Sequence, residues 1–321
     1  MDLTTFFNLL SIIGVLFLLL VAGFICRRTA IIDETASKRL SKLIVALGQP
    51  MMIIGALISK DFSTALLKEG LFYLLLGMLL HPLMAGVAFL LSPLFPKGVQ
   101  RNISIFAVIF NNCGFIGFPI LAAIFPEKGA FYGAFFVIGF HLYLWTLGIW
   151  ILSRGQSHIR LTPKKALLNY GTVPCAIGFG LYLLKAVLPL PAFVIDFSNH
   201  LGNLCLPISV LVTGALLAGE DWKKLIGNAR LYLFNLIKLV AVPLIVALVA
   251  KLVTLGMADS YNIVLFCTVI AGLPSAATIT MLCEIYDLDS PYAARVVGST
   301  SILSLASLPL LYFVGDLIAR L

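Results

Sequence analysis

Long apolar stretches alternate with short polar ones along the whole chain. The apolar stretches fall near residues 4–26, 37–59, 70–92, 102–125, 129–152, 168–187, 195–218, 226–250, 261–284 and 291–317. A helix needs about 20 apolar residues to cross the hydrocarbon core of a bilayer. The pattern therefore predicts ten transmembrane helices, and it leaves no room for a separate soluble domain.

Two of these apolar segments contain residues that disfavour a helix in lipid. The fourth carries NNCGFIGFP at 111–119, and the ninth carries AGLPSAATIT at 271–280. Inside a helix, glycine costs about 1 kcal/mol and proline about 3 kcal/mol relative to alanine. Hydrocarbon also leaves the polar groups of asparagine unsatisfied. Both segments are predicted to leave helical geometry near the middle of the membrane.

Prolines recur in the same order and with similar spacing in the two halves of the chain. The matched sets are Pro50, Pro82 and Pro119, and Pro207, Pro243 and Pro274. Chance recurrence is the alternative, but the adjoining motifs also match, and we interpret the pattern as a duplication. We predict a first five-helix repeat at 1–152, a short cytoplasmic linker at 153–167 and a second repeat at 168–321. Because five is odd, the second repeat would be inverted, as in many secondary transporters.

Composition and charge add an orientation to this picture. The chain is 61% hydrophobic and 11% charged, whereas soluble domains carry roughly 25% charged residues. Most lysines and arginines lie in one set of alternate loops. The positive-inside rule places that set in the cytoplasm, and both termini on the outer side of the cell (inner) membrane. Because the basic residues are spread over short loops, nucleic-acid binding is not expected.

The two interruptions are the best candidates for a binding site. A half-helix that restarts at Pro119 or Pro274 would present unpaired N–H groups and its positive dipole end near mid-membrane. Such an end attracts a carboxylate, and neighbouring amides and hydroxyls can bond to its oxygens. The predicted substrate-binding residues are Asn111, Asn112, Gly114, Gly117, Pro119, Lys238, Gly272, Pro274, Ser275 and Thr278. The alternatives are ordinary proline kinks, asparagine contacts between helices and hydroxyls bonded to their own helix.

A few ionisable residues lie in or near the apolar segments. Lys238 is deep in the eighth segment and must face protein or a cavity. It could balance an anionic substrate, or pair with a carbonyl or an acid. Glu284, at the end of the ninth segment, could carry a coupling proton, although a solvated helix end is the simpler interpretation. Histidines such as His141 are more often packed or hydrogen-bonded than proton carriers.

The motifs resemble those of the auxin efflux carrier family, which includes plant PIN proteins and bacterial members. The resemblance covers essentially the whole chain and rests on NNCGFIGFP, LCLPISVLVTGALLAG at 204–219, KLVAVPL at 238–244 and the run at 271–309. It implies an all-α polytopic membrane protein with ten transmembrane helices as two inverted five-helix repeats. It also implies crossed, broken helices 4 and 9, as in bile-acid symporters and sodium–proton antiporters, and a homodimer.

The resemblance further implies export of small organic anions, which are indole-3-acetate in plants and proposed dicarboxylates such as malate or malonate in bacteria. The sequence thus predicts an alternating-access exporter in the bilayer, with no cofactor or metal and with coupling to H+ or Na+ left open. An ion channel or a non-transporting membrane sensor is the alternative. Motifs for ATP binding or hydrolysis are missing from the sequence, so no enzyme activity is expected.

Overall fold

The computed structural model describes residues 3–159, 162, 164, 168–219 and 228–321, without the side chains of residues 3–10, 12, 13, 115 and 284. The helices are α1 Leu3–Arg28, α2 Glu34–Leu43, α3 Gln49–Ile58, α4 Thr64–Leu91, α5 Val99–Ile109, α6 Phe118–Ile124, α7 Gly129–Tyr143, α8 Ile149–Ser153, α9 Thr172–Leu184, α10 Ala192–Gly202, α11 Cys205–Ala218, α12 Ala229–Leu236, α13 Val242–Val253, α14 Ser260–Gly272, α15 Thr278–Ile285 and α16 Ser290–Arg320. No strand occurs within these described ranges. The predicted linker at 153–167 lies partly outside them.

Several helices join into longer apolar segments. In the described part of the chain, six segments are long and apolar enough to cross a membrane: Glu34–Ile58, Thr64–Leu94, Gly129–Ser153, Ala192–Ala218, Ala229–Val253 and Ser290–Arg320. Shorter apolar helices are Val99–Ile109, Thr172–Leu184 and Ser260–Gly272. The prediction of an all-α polytopic membrane protein is therefore confirmed.

Three of these long segments contain a π-helical turn. The turns span residues 44–48, 144–148 and 237–241. The first and the third end two residues before Pro50 and Pro243. Proline lacks an N–H and clashes with the preceding turn of an α-helix, and a wider turn is one way in which a helix accommodates it.

The helices form two groups by their contacts. In the first group, α1 packs on α11, and α9 and α10 pack on α3. In the second group, α4 packs on α5 and α7, α6 packs on α7, α14 packs on α13 and α16, and α12 and α15 pack on α16. Large aromatic side chains fill the interior of the second group; the fully buried ones include Phe106, Phe110, Phe135, Phe136 and Phe266.

Two glycines set the close approach of α1 to α11. An added Cβ on Gly23 would lie 2.0 Å from the carbonyl oxygen of Leu211, and one on Gly214 would lie 2.0 Å from that of Leu20. Alanine at either position must push the helices apart. We expect Gly23→Ala and Gly214→Ala each to lower the free energy of unfolding by about 1–3 kcal/mol, as overpacking usually does.

The chain offers a matched control for this prediction on the same helix. A Cβ added to Gly14 meets nothing within 4 Å, so Gly14→Ala should leave the thermal unfolding midpoint of the purified protein unchanged or slightly raised. If all three variants unfold at the same temperature, α1 and α11 do not pack at this distance.

Candidate functional site at the two helix interruptions

Both predicted interruptions are present, and they differ in where helical structure resumes. After α5 ends at Ile109, helical structure resumes with a π turn at 113–117 that leads into α6. It resumes before Pro119 because the carbonyl oxygen of Asn112 accepts hydrogen bonds from the N–H groups of Ile116 (3.3 Å) and Gly117 (3.0 Å).

The second interruption is a non-helical connection between α14 and α15. Pro274 lies within this connection, and the new helix begins four residues later, at Thr278. The connection stays non-helical because its backbone groups bond to the other interruption. The predicted restart at Pro119 agrees with the start of the α-helix α6 at Phe118, although a π turn precedes it. The predicted restart at Pro274 is wrong, since α15 begins four residues later.

The two interruptions contact each other through their backbones. The N–H of Asn112 donates to the carbonyl oxygen of Pro274 (2.8 Å), and the N–H of Ala276 donates to that of Phe110 (2.9 Å). Together they form a minimal antiparallel bridge. Irregular backbone inside a membrane protein must be satisfied by other protein groups or by a wet cavity. Here each interruption supplies hydrogen-bonding partners for the other, and we call this contact the crossing.

Ser275 helps to hold the crossing together. Its Oγ donates to the carbonyl oxygen of Ala107 in the last turns of α5 (2.9 Å), and its N–H donates to Oγ1 of Thr300 in α16 (3.2 Å). The residue is completely buried. Its hydroxyl therefore bonds to the backbone of α5, and not to its own helix, in this conformation.

Lys238 lies at the crossing, completely buried, in the π turn at 237–241. Its Nζ donates to Oδ1 of Asn111 (2.6 Å) and to the carbonyl oxygen of Ala271 (2.9 Å). The Nδ2 of Asn111 in turn donates to the carbonyl oxygen of Ile270 (2.8 Å). Because these two carbonyls end α14, the ammonium group faces the negative end of a helix dipole. Of the interpretations left open, pairing with carbonyl oxygens is the one observed.

A pocket opens beside the crossing. Its lining residues are Gln49, Met52, Ile53, Asn111, Asn112, Cys113, Gly114, Val137, Phe140, His141, Ala276 and Thr278. Three amides, a hydroxyl and an imidazole thus stand among apolar walls, which is the usual composition of a small-molecule site. No acidic side chain is among the described residues of this lining.

The structure divides the predicted site residues into two sets. Asn111, Asn112, Gly114 and Thr278 line the pocket, whereas Gly117, Pro119, Lys238, Gly272, Pro274 and Ser275 do not. Within the second set, the glycines permit close packing: an added Cβ on Gly117 would lie 3.0 Å from Leu273, and one on Gly272 would lie 2.5 Å from Leu311. The side chain of Glu284 lies outside the described residues, so its predicted role in ion coupling has no position here.

Two buried polar residues join the site from outside the interruptions. Nε2 of Gln49 lies 3.1 Å from Nε2 of His141, and both residues line the pocket. The hydrogen-bonded interpretation of His141 agrees with this contact. The sequence analysis missed Gln49, although a glutamine inside an apolar segment, next to the recurring Pro50, was an available signal.

A separate groove also reaches Thr278. It lies among α2, α11, α15 and α16, and its hydroxyl-bearing residues are Ser37, Ser41, Ser209, Thr213, Thr278 and Thr280. Oγ1 of Thr280 is buried there with no hydrogen-bond partner within the described residues. Because Lys38 and its ion-pair partner Glu34 also line the groove, it extends toward the loops predicted to be cytoplasmic.

An apolar helical chain with a polar crossing and a pocket inside its helical bundle is an integral membrane protein with an internal site. The family model described as "Membrane transport protein" matches residues 8–312. The chain therefore belongs to this family of membrane transporters, the auxin efflux carrier family that its motifs indicated.

Two archaeal proteins are similar over nearly their full length. One is an uncharacterized transporter of Methanocaldococcus jannaschii, 22% identical over 304 residues, which covers 92% of this chain and 95% of that protein. The other is an uncharacterized transporter of Methanothermobacter thermautotrophicus, 23% identical over 305 residues, which covers 94% and 96%.

Proposed function

We propose that the protein is a secondary transporter that exports a small organic anion, such as a dicarboxylate or an auxin-like carboxylate, by alternating access. Membership of a membrane transport family supports transport rather than catalysis. The observation that carries the proposal is the crossing itself, where two interrupted helices are tied together beside a pocket. Interrupted helices that meet in this way are a recurrent form of substrate site in transporters.

The proposal includes an architecture of ten transmembrane helices in two inverted repeats, 1–152 and 168–321, in the cell membrane with both termini outside. Helix contacts that run from one half of the chain to the other support this architecture. If the halves are equivalent, α1 corresponds to α9, and the α3 segment corresponds to the α11 segment. The contact of α1 with α11 is then the counterpart of the contact of α9 with α3.

The chemistry of the pocket favours an anion. The amide of Asn112 and the hydroxyl of Thr278 can donate to carboxylate oxygens. The start of α15 contributes its positive dipole end. The N–H groups of Ile279 and Thr280 there already donate to the carbonyl oxygens of Ala276 and Ala277 (3.1 Å each), so the field of the helix rather than these donors acts on the anion. Gly114 carries no side chain that would keep a ligand from the backbone. The buried ammonium of Lys238 does not line the pocket, but it contacts the lining residue Asn111 and adds a positive field.

The position of the pocket suits alternating access. Gln49, Met52 and Ile53 come from α3, in the first helix group, whereas Asn112 and Thr278 belong to the second. A substrate held at the crossing would therefore move past α3 when one group shifts against the other. The hydroxyl-lined groove would connect the site to the cytoplasm in the conformation described.

Counterflow in proteoliposomes tests the proposal. We expect uptake of labelled malonate, malate or indole-3-acetate that saturates and is accelerated by the same unlabelled solute inside the vesicles. The same assay under a sodium or pH gradient assigns the coupling ion. A flux that neither saturates nor accelerates would indicate a channel. Failure of every carboxylate to exchange would contradict the proposal and favour a non-transporting sensor.

A further inference from the structure

The groove beside the crossing pocket contains a hydroxyl group that the fold leaves unbonded. Thr280 lines the groove and is only 6% exposed, and its Oγ1 has no hydrogen-bond partner within the described residues. A buried hydroxyl without a partner is unfavourable, and native proteins keep few of them. This hydroxyl is therefore a candidate for contact with a ligand in the groove.

The helix interruption explains why the Thr280 hydroxyl is unbonded. A threonine inside a helix often donates to the carbonyl oxygen three or four residues before it. Thr280 is the third residue of α15, so the residue four positions back, Ala276, lies in the non-helical connection. The carbonyl oxygen of Ala277 already accepts the N–H of Thr280 (3.1 Å). The break that forms the crossing thus also releases this hydroxyl from its own helix.

Other hydroxyl groups in the same region show the contrast. Ser209 and Thr213 of α11 also line the groove, and they donate to the carbonyl oxygens of Leu206 (3.0 Å) and Ser209 (2.8 Å). Thr268, which is buried in α14, likewise donates to the carbonyl oxygen four residues earlier (2.7 Å). These groups are satisfied within their helices, whereas the hydroxyl of Thr280 keeps its donor and acceptor capacity for a ligand.

The groove and the crossing pocket meet at Thr278, which lines both. Because Thr278 and Thr280 are two residues apart on one helix, their Cα atoms are separated by about 5 Å. A small organic acid whose carboxylate lies in the crossing pocket can therefore reach Thr280 with a group a few bonds away. The groove also lies between the two helix groups, since α11 belongs to the first, and α15 and α16 belong to the second.

We propose that the groove holds a second subsite, at Thr280, for a hydroxyl group of the substrate, so that the protein selects hydroxy acids over the same acids without the hydroxyl. This inference rests on the proposed function, because it places the carboxylate of the same substrate at Asn112 and Thr278. A ligand hydroxyl can either donate to Oγ1 of Thr280 or accept from it. Being uncharged, it needs no counter-charge in the groove. Thr280 is then a specificity-determining residue.

Binding of matched pairs of acids to the purified full-length protein in detergent tests the proposal. The pairs are malate with succinate and 3-hydroxybutyrate with butyrate, and affinities are measured by isothermal titration calorimetry. In the wild type we expect the hydroxy acid of at least one pair to bind about five- to tenfold more tightly, as one hydrogen bond provides. Thr280→Val keeps the shape of the side chain and removes the hydroxyl, so this preference should disappear while the affinity for the plain acid is kept.

Thr268→Val is the matched control, because it removes a buried hydroxyl of the second helix group that lines neither the groove nor the crossing pocket. It should keep the preference for the hydroxy acid and unfold at a lower temperature, since it loses a hydrogen bond that is made. Thr280→Val should unfold at the same temperature as the wild type or a higher one, since it removes a polar group that is unsatisfied.

The same preference in the wild type and in Thr280→Val, no preference in the wild type, or no binding of any of these acids would overturn the proposal. Counterflow separates this result from a failure of transport. Exchange of plain carboxylates without a preference that depends on Thr280 would refute the subsite alone. Binding that depends on Thr280 without exchange of any carboxylate would refute transport and leave the subsite in place.

Discussion

Replacement of Lys238 by methionine is expected to abolish carboxylate transport in proteoliposomes while the protein still folds. The substitution leaves Oδ1 of Asn111 and the carbonyl oxygen of Ala271 without their donor. A buried acceptor left unpaired costs about 1–3 kcal/mol. Methionine also relieves the cost of burying an ammonium group, so the net loss of stability should stay within about 3 kcal/mol. The loss of positive charge beside the pocket should affect anion binding more than folding.

Lys251→Met is the matched control for this variant. Lys251 lies on the same helical segment and also donates to a backbone carbonyl, that of Ala319 (3.0 Å), but it is half-buried and its partner lies at the end of α16 rather than at the crossing. We expect this variant to transport at close to the wild-type rate. Lys238→Arg keeps the charge and should retain partial activity if its larger head group fits. Equal activity of Lys238→Met and Lys251→Met would show that the ammonium group at the crossing is not required.

The second large effect is expected from Asn112→Asp, which keeps the shape of the side chain and replaces an amide by a carboxylate. If Asn112 donates to an anion, a negative charge at this position should weaken binding of malonate or of the best carboxylate by about a hundredfold or more, because like charges repel strongly at a buried site. Asn112→Ala removes the donor without adding a charge and should weaken binding by about tenfold.

The order of these two variants is the diagnostic result. Affinity measured by competition in the counterflow assay should fall from wild type to alanine to aspartate for an anionic solute. An uncharged amide or ester analogue, if it binds, should show little difference between alanine and aspartate. If aspartate binds the anion as well as alanine does, Asn112 contributes packing rather than a hydrogen bond to a negative charge.

Hydropathy alone predicted much of the helical architecture, because the length of an apolar run is a local property of the sequence. The presence of two interruptions was equally local, since asparagine, glycine and proline disfavour a helix in lipid wherever it packs. The exact position of each break could not be predicted from neighbouring residues alone. Helical structure resumes at Cys113, directly after Asn112, whose own N–H is taken by Pro274 across the crossing. That contact joins residues far apart in sequence.

The candidate site shows the same limit. The sequence indicated that Lys238 is buried and needs a partner. Whether that partner is an anion, an acid or a carbonyl depends on how the end of α14 packs against it, which is a contact between distant residues. Gln49 lines the pocket beside His141, its hydrogen-bonding partner, which lies 92 positions away in the chain. No local pattern links those two residues.

An electron cryomicroscopy map of the protein in lipid nanodiscs, with the carboxylate that gives the strongest counterflow at saturating concentration, tests the central claim most directly. The account predicts solute density against Asn112, Gly114 and the start of α15, with the contacts between the two interruptions preserved. Density for the same solute in the separate pocket lined by Glu69 and Lys128, with an empty crossing pocket, would contradict it.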